Sequence, residues 1–215
     1  MDSLIKTIII IGNGNDWDAK KFVSYCQQAD YIIAADNGLS LLDRFQFIPD
    51  LIVGDLDSAP KALLDKYKHI PAEKHPVKKD FSDSELSIKK AISIQPEEII
   101  LLAMTGNYFD HSYANILNLF RNYQKGILMK IITSNSMIFP IVEKTILYNL
   151  KGRRFSLFPI ESIRNISLKG SLYQFMKKDL QITDYSISNV IVDKKLEIEF
   201  DKGKLFCVLF DDGFQ

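Results

Sequence analysis

The sequence predicts an α/β domain, a mostly parallel sheet flanked by helices, followed by a C-terminal antiparallel β-sandwich. Two patterns carry this reading. Through residue 133, short apolar runs alternate with stretches of helical periodicity, as in a chain that crosses over between parallel strands. After Ser134 the helical stretches give way to short β-prone runs separated by turn residues, as in a sandwich or barrel.

Taken in order, residues 7–11 read as a strand, and residues 18–28 as a helix after the turn Gly12-Asn13-Gly14. A second strand, 31–35, ends at Asp36-Asn37-Gly38, and a third, 51–53, lies between Pro49 and Gly54. Pro60 opens a helix to about Tyr67, with Ser58 as a capping candidate. Ser82-x-x-Glu85 has capping-box spacing ahead of a helix carrying Leu86, Ile88 and Ile92. Residues 99–104 form another buried strand, and 110–123 a helix with Ala114, Leu117 and Phe120 at helical spacing. Residues 126–133 close the series. The later strands are expected at 145–150, 154–158, 163–168, 186–191, 196–200 and 205–210, with Lys151-Gly152, Pro159, Lys169-Gly170 and Asp201-Lys202-Gly203 among the separators. The junction falls near residues 132–144, giving domains 1–133 and 134–215.

The 215 residues balance 27 Lys and Arg against 27 Asp and Glu, so no net field favours nucleic acid or an anionic membrane. An apolar fraction of 47% with 25% charged residues is that of a soluble globular chain. No stretch approaches the ~20 apolar residues that span a bilayer. Cys26 and Cys207 lie far apart in apolar settings and read as two buried free thiols. The expected address is the cytoplasm. Trp17, Phe155, Phe158 and Phe175 read as packing residues.

Five carboxylates carry the chemistry: Asp55 and Asp57 in V-G-D-L-D-S, then Asp80, Asp83 and Glu85 in K-K-D-F-S-D-S-E. The first pair follows a buried strand, at the edge where open α/β sheets bind ligands. Like charges packed together repel unless a cation offsets them. Hard oxygen donors suit Mg²⁺, which commonly takes one or two carboxylates plus substrate phosphate oxygens. A lone D-x-D is more often a solvated turn. The second cluster and a third, Phe109-Asp110-His111, favour the metal and phosphate reading.

The other motifs each allow two readings. Gly12-Asn13-Gly14 either brings backbone N–H groups to a phosphate or is a tight turn. Trp17 occupies the place of a third glycine, so it is no dinucleotide fingerprint. Asp36-Asn37-Gly38 either holds a ribose hydroxyl or metal-bound water, or simply turns the chain. Ser82 and Asp83 either cap a helix, worth about 1 kcal/mol, or present that helix start and a carboxylate to a metal-bound phosphate. Lys78 and Lys79 either neutralise phosphate oxygens or are solvated. Asp110 is an N-cap or a catalytic carboxylate. His111 is a capping partner or a phosphate donor, and a lone His is more often structural.

The ordered series A-D-N-G-L, P-D-L-I-V-G-D-L-D-S, K-D-F-S-D-S-E and G-N-Y-F-D-H-S-Y-A-N resembles the thiamine pyrophosphokinase family. R-R-F-S-L-F-P and the late Ser188-Asn189 are similar to that family's β-domain. The resemblance implies an α/β domain paired with a β-sandwich that contributes to acceptor binding and dimerisation. It implies a homodimer, with thiamine held between the sandwich of one subunit and the α/β domain of the other. The implied reaction moves a pyrophosphoryl group from ATP to thiamine, giving thiamine diphosphate and AMP. On this chain Asp55, Asp57, Asp80 and Asp83 take the catalytic positions, with Asp55, Asp57 and Asp83 on Mg²⁺. Asp36, Asn37, Gly38, Lys79, Ser82, Asp110 and His111 take nucleotide positions, and Ser188 and Asn189 lie near thiamine. Tyr108 stands where the family has Arg, Asn107 where it has Gly, and Val190 where it often has an acidic or polar residue. The competing readings are a pyrophosphokinase for another heterocyclic alcohol such as a hydroxymethylpterin, a non-catalytic Mg-nucleotide regulatory module, and a metal-dependent phosphohydrolase.

Overall fold

The computed structural model describes residues 5–54, 60–74 and 81–213. At its centre is β1 (Thr7–Ile11), whose four isoleucines are fully buried. It lies parallel between β2 (Tyr31–Ala35) and β5 (Glu98–Leu102). Beyond these come β3 (Leu51–Gly54), β4 (Ala72–Lys74) and β6 (Leu128–Ile132), also parallel, in the order β6-β5-β1-β2-β3-β4. Strands covered on both faces are apolar along their whole length, which explains the continuous Ile, Leu and Val runs.

The helices of this unit are α1 (Ala19–Gln28), α2 (Gly38–Arg44), α3 (Lys61–Lys66), α4 (Asp83–Ser93) and α5 (Phe109–Arg121). Asp18 caps α1, its carboxylate accepting the Lys21 N–H at 2.9 Å, and Trp17 packs edge-on against Phe45 beside Phe22. Because the strands are parallel, β1, β2, β3 and β5 deliver Gly12, Asp36, Gly54 and Ala103 to one edge of the sheet. Pairing continues past the strands there: the Gly12 N–H donates to the Leu102 carbonyl at 2.9 Å and the Asp36 N–H to that of Val53 at 2.8 Å.

Contacts divide the chain into Met1–Ser134 and Asn135–Gln215. The second unit contains β7 (Ser136–Ile141), β8 (Thr145–Tyr148), β9 (Arg153–Pro159), β10 (Ile163–Lys169), β11 (Phe175–Leu180), β12 (Ser186–Val190), β13 (Lys195–Glu199) and β14 (Leu205–Gly213). Two antiparallel sets form, β12-β9-β14-β7 and β11-β10-β13-β8. Phe155, Leu157, Leu205, Cys207 and Leu209 of the first set meet Ile166, Leu168, Leu196 and Ile198 of the second in one core. That shared core makes the unit a β-sandwich. Cys26 and Cys207 are both buried and unpaired. Among the described residues no helix is long and apolar enough to cross a membrane.

The structure departs from the sequence expectation in detail. The fifth strand ends at Leu102 because Ala103 takes φ +54°, turning the chain. On α5 the buried residues are Asn115, Asn118 and Leu119, whereas Ala114 and Leu117 face outward. The helix is therefore rotated by about one residue from the phase its apolar spacing suggests. Asn115 is drawn inward by a hydrogen bond from its Nδ2 to the Met104 carbonyl at 2.7 Å, which offsets the cost of burying an amide. The candidate cap Ser58 lies outside the described residues.

Candidate active site

The turns at the carboxyl edge of the parallel sheet are packed backbone on backbone, and glycine is what permits it. A Cβ on Gly14 would sit 2.2 Å from the Thr105 carbonyl oxygen, and one on Gly38 would sit 2.1 Å from that of Ile11. The Gly14 N–H donates to the Ala103 carbonyl at 2.6 Å, and the Asp16 N–H to that of Thr105 at 3.1 Å. The Asp16 carboxylate in turn accepts from the Thr105 hydroxyl and the Ser134 N–H. Gly12-Asn13-Gly14 is thus a close-packed turn whose residues also face the cleft described next.

Between these turns and the starts of α4 and α5 opens a cleft of about 600 Å³. Asp36, Ser82, Asp83 and His111 line it, together with Asn13, Asn15, Asn107, Asn115, Ser84, Thr105 and Ser112. Asp36 and Asp83 approach each other at Gly54. A Cβ there would lie 3.2 Å from both the Asp36 Cα and the Asp83 Oδ1, with Gly54 at φ +148°. Asp36, just after β2, and Asp83, at the start of α4, thus both border the end of β3. Among the described residues no group of three or more His, Cys, Asp or Glu side chains converges as a metal site. Asp55, Asp57, Lys78, Lys79 and Asp80 lie outside the described residues. The two acidic residues of the lining, beside neutral amides and hydroxyls, give it hard oxygen donors of the kind that fit Mg²⁺.

Ser82 is the N-cap of α4, its hydroxyl accepting the Glu85 N–H at 3.2 Å. Glu85, the fifth carboxylate of the sequence motif, does not face the cleft. It is 3% exposed, and its two oxygens lie 2.9 Å from Lys89 Nζ and 3.2 Å from Arg121 Nη1. Both cations also lie over the ring of Phe81, at 3.3 and 5.5 Å from its centroid. Glu85 therefore ties α4 to α5 and anchors the Phe81-Ser82-Asp83 corner.

Asn37 hydrogen bonds to Asn13 Oδ1 at 3.2 Å and accepts from the Ser40 hydroxyl. Asp110 is exposed in the first turn of α5 and does not line the cleft. His111 does, with its ring centroid 5.7 Å from that of Tyr108. Among the described lining residues there is no lysine or arginine. Ser188 and Asn189 are in the second unit, on β12. Ser188, at φ +53°, donates its N–H to Ser156 Oγ at 3.1 Å, and Asn189 is fully buried.

The sequence reading gave no role to Asn15, Thr105, Ser112 or Asn115, although the last two lie in a stretch it quoted, because isolated polar residues at turns and in helices look like caps. The available signal was position: Asn15 and Thr105 follow the ends of β1 and β5, and Ser112 and Asn115 fall on α5 within the G-N-Y-F-D-H-S-Y-A-N stretch. Asn15 Oδ1 accepts the Asn107 N–H at 3.0 Å and lies where a Gly106 side chain would be. Ser112 Oγ accepts the Gly106 N–H at 3.0 Å.

Comparison with known proteins finds two family models along the chain. Residues 22–131 match the thiamin pyrophosphokinase catalytic domain, and residues 143–205 match the thiamin pyrophosphokinase vitamin B1 binding domain. A thiamine pyrophosphokinase of Bacillus subtilis (strain 168) is 26% identical over 214 residues, covering 97% of this chain and all of that protein. The fold is similar to the crystal structure of a Bacillus subtilis thiamine pyrophosphokinase, with TM-score 0.85 at 23% identity, over 96% of this chain and 100% of that one. It is also similar to the thiamin pyrophosphokinase of Candida albicans, with TM-score 0.81 at 16% identity, over 96% and 90% of the two chains.

Proposed function

The chain belongs to the thiamin pyrophosphokinase family, and from that premise we propose that it transfers the pyrophosphoryl group of ATP to thiamine. The products are thiamine diphosphate and AMP. The observation that carries this is that Asp36 and Asp83 both line one cleft at the carboxyl edge of the sheet and both border Gly54.

Asp83, with Asp55 and Asp57 of the sequence motif, would hold Mg²⁺, and Asp80 and Lys79 would serve the phosphates. When bound, such an ion would neutralise phosphate oxygens and offset charge on the leaving AMP. The chain's own residues supply position. The N-terminus of α4, capped by Ser82, directs N–H groups and a positive helix dipole at an anion. Asp36-Asn37-Gly38 holds the nucleotide from the neighbouring turn and His111 from the start of α5, whereas Asp110, exposed and outside the cleft, takes no part in holding it. Asn and Ser side chains around the cleft donate hydrogen bonds without bringing a charge that would compete with the metal. The thiamine hydroxyl attacks the β-phosphorus in line, the bond from that phosphorus to the α-phosphate oxygen breaks, and a carboxylate accepts the hydroxyl proton. Ser188 and Asn189 belong to the acceptor side. The protein works as a homodimer in the cytoplasm, where ATP and Mg²⁺ are supplied.

The test is AMP release by the purified protein with ATP and Mg²⁺ across a panel of alcohols. Thiamine-dependent AMP supports the reading. AMP with a hydroxymethylpterin alone would move the acceptor, nucleotide binding without turnover would make the chain a regulatory module, and acceptor-independent hydrolysis would make it a phosphohydrolase.

A further inference from the structure

Arg121 sits in the last turn of α5, its side chain 60% exposed, and it does not line the cleft. By sequence it is an ordinary surface arginine, outside every motif singled out above. In the fold its Nη1 lies 3.2 Å from one oxygen of Glu85, whose side chain is 4% exposed, while Lys89 Nζ lies 2.9 Å from the other. A carboxylate buried this deeply is costly unless its charge is matched. The two matching cations differ in what they join. Lys89 belongs to α4, one turn beyond Glu85, so that pair links nothing the helix has not already linked. Arg121 comes from α5, and among the described residues its pair with Glu85 is the ion pair that bridges the two helices.

The same guanidinium reaches the cleft wall. Its central carbon lies 5.5 Å from the centroid of the Phe81 ring, over which Lys89 Nζ also stands at 3.3 Å. A planar guanidinium can bond a carboxylate through its N–H groups while lying over an aromatic ring, which a lysine point charge does less well. Phe81 lines the cleft, as do its neighbours Ser82 and Asp83. Within α4 this corner is already fastened. The Ser82 hydroxyl accepts the Glu85 N–H at 3.2 Å, and Ser87, without solvent exposure, donates its hydroxyl to the Asp83 carbonyl at 2.8 Å. From α5 the same cleft is lined by His111, Ser112 and Asn115. What α4 cannot set by itself is its placement against α5, and the pair of Glu85 with Arg121 supplies that restraint.

Building on the proposed reaction, we propose that Arg121 is a positioning residue for the metal and phosphate corner. Through Glu85 and the Phe81 ring it fixes where α4 presents Asp83 to the cleft that both helices line.

The test reads Mn²⁺ affinity by electron paramagnetic resonance with α,β-methylene-ATP present, which needs no turnover, beside the Mg²⁺ dependence of kcat and Tm. Arg121→Gln weakens Mn²⁺ binding about fivefold, short of the ~10–100-fold lost when a metal ligand's own partner is removed. The Mg²⁺ concentration for half-maximal turnover rises by the same factor. Arg121→Lys, which keeps the charge without the planar group, falls between Arg121→Gln and wild type. Glu85→Gln weakens Mn²⁺ binding to a similar degree, and Arg121→Gln adds little in that background. Gly126→Ala, strained at φ +95° with nothing within 4 Å of its new methyl, lowers Tm and leaves Mn²⁺ binding unchanged. Wild-type Mn²⁺ affinity in Arg121→Gln, an equal loss in Gly126→Ala, or additive effects in the double variant overturns the role and leaves the reaction intact. A wild type that binds no Mn²⁺ with the nucleotide overturns the metal reading itself, and this role with it.

Discussion

Gly54→Ala is the perturbation that most sharply separates a built site from a set of turns. The glycine has φ +148°, and an L residue held there costs about 1–3 kcal/mol. At about 2–4 °C per kcal/mol for a chain of this length, Tm falls by roughly 2–12 °C. The steric term is separate. The new methyl would stand 3.2 Å from Asp83 Oδ1 and 3.2 Å from the Asp36 Cα, and the Asp36 backbone cannot rotate away as a side chain can. Both carboxylates must shift by a few tenths of an ångström. A misplacement of 1 Å costs on the order of 100-fold, so we expect kcat/KM to fall about tenfold, with weakened Mg²⁺ dependence. Gly126→Ala is the control: Gly126 has φ +95° and nothing within 4 Å of a built Cβ. It should lose comparable stability and keep full activity. Steady-state kinetics and thermal unfolding of the two variants side by side are the assay. If Gly54→Ala is as active as Gly126→Ala, Asp36 and Asp83 do not form the reaction site.

Other expectations follow from single features. Asp83→Asn should abolish most turnover at saturating Mg²⁺ with Tm near wild type, and near-normal rates would show that Asp83 only decorates a helix start. Glu85→Gln should destabilise by roughly 1–2 kcal/mol, less than a fully buried pair would lose, because Lys89 and Arg121 are partly exposed and can rehydrate; denaturant midpoints within error of wild type would refute this. Burial pushes the Cys26 thiol from its ordinary 9.0 up to about 12 and raises that of Cys207 as well. The folded state thus keeps protons that the unfolded chain releases, so this stabilisation is complete below about pH 9 and declines as pH rises towards 12. Neither thiol should react with a thiol reagent at pH 8 until the protein unfolds, and rapid labelling of the native protein would contradict that burial. Asp83→Asn mixed with Ser188→Ala should recover part of the activity if subunits pair and exchange, and sedimentation as an active monomer would exclude the homodimer.

The parallel sheet was legible because its strands are buried on both faces and so are apolar without interruption, as in Ile8–Ile11. The sandwich was legible from turn residues recurring between β-prone runs. The missed elements had weaker signals. β4 has three residues, α2 begins with Gly38, β7 contains Pro140, and β11 exposes Met176, Lys177, Lys178 and Asp179. At the site, Asp36 and Asp83 were visible as acidic residues at element ends, but that both border Gly54 depends on how β2, β3 and α4 pack in space. Glu85 misled for a related reason. Its partner Arg121 comes from another helix, and no local pattern distinguishes an acid that ligates from one that is buried by a distant guanidinium. Asn189 carried the same ambiguity, since its bonds to Tyr173 cross 16 residues.

Phosphorus NMR of ATP, Mg²⁺, thiamine and the purified protein tests the central claim most directly. The account predicts that AMP and thiamine diphosphate appear together in equal amounts, with no ADP and no thiamine monophosphate. ADP with thiamine monophosphate, or nucleotide left unchanged in the presence of thiamine, would contradict it.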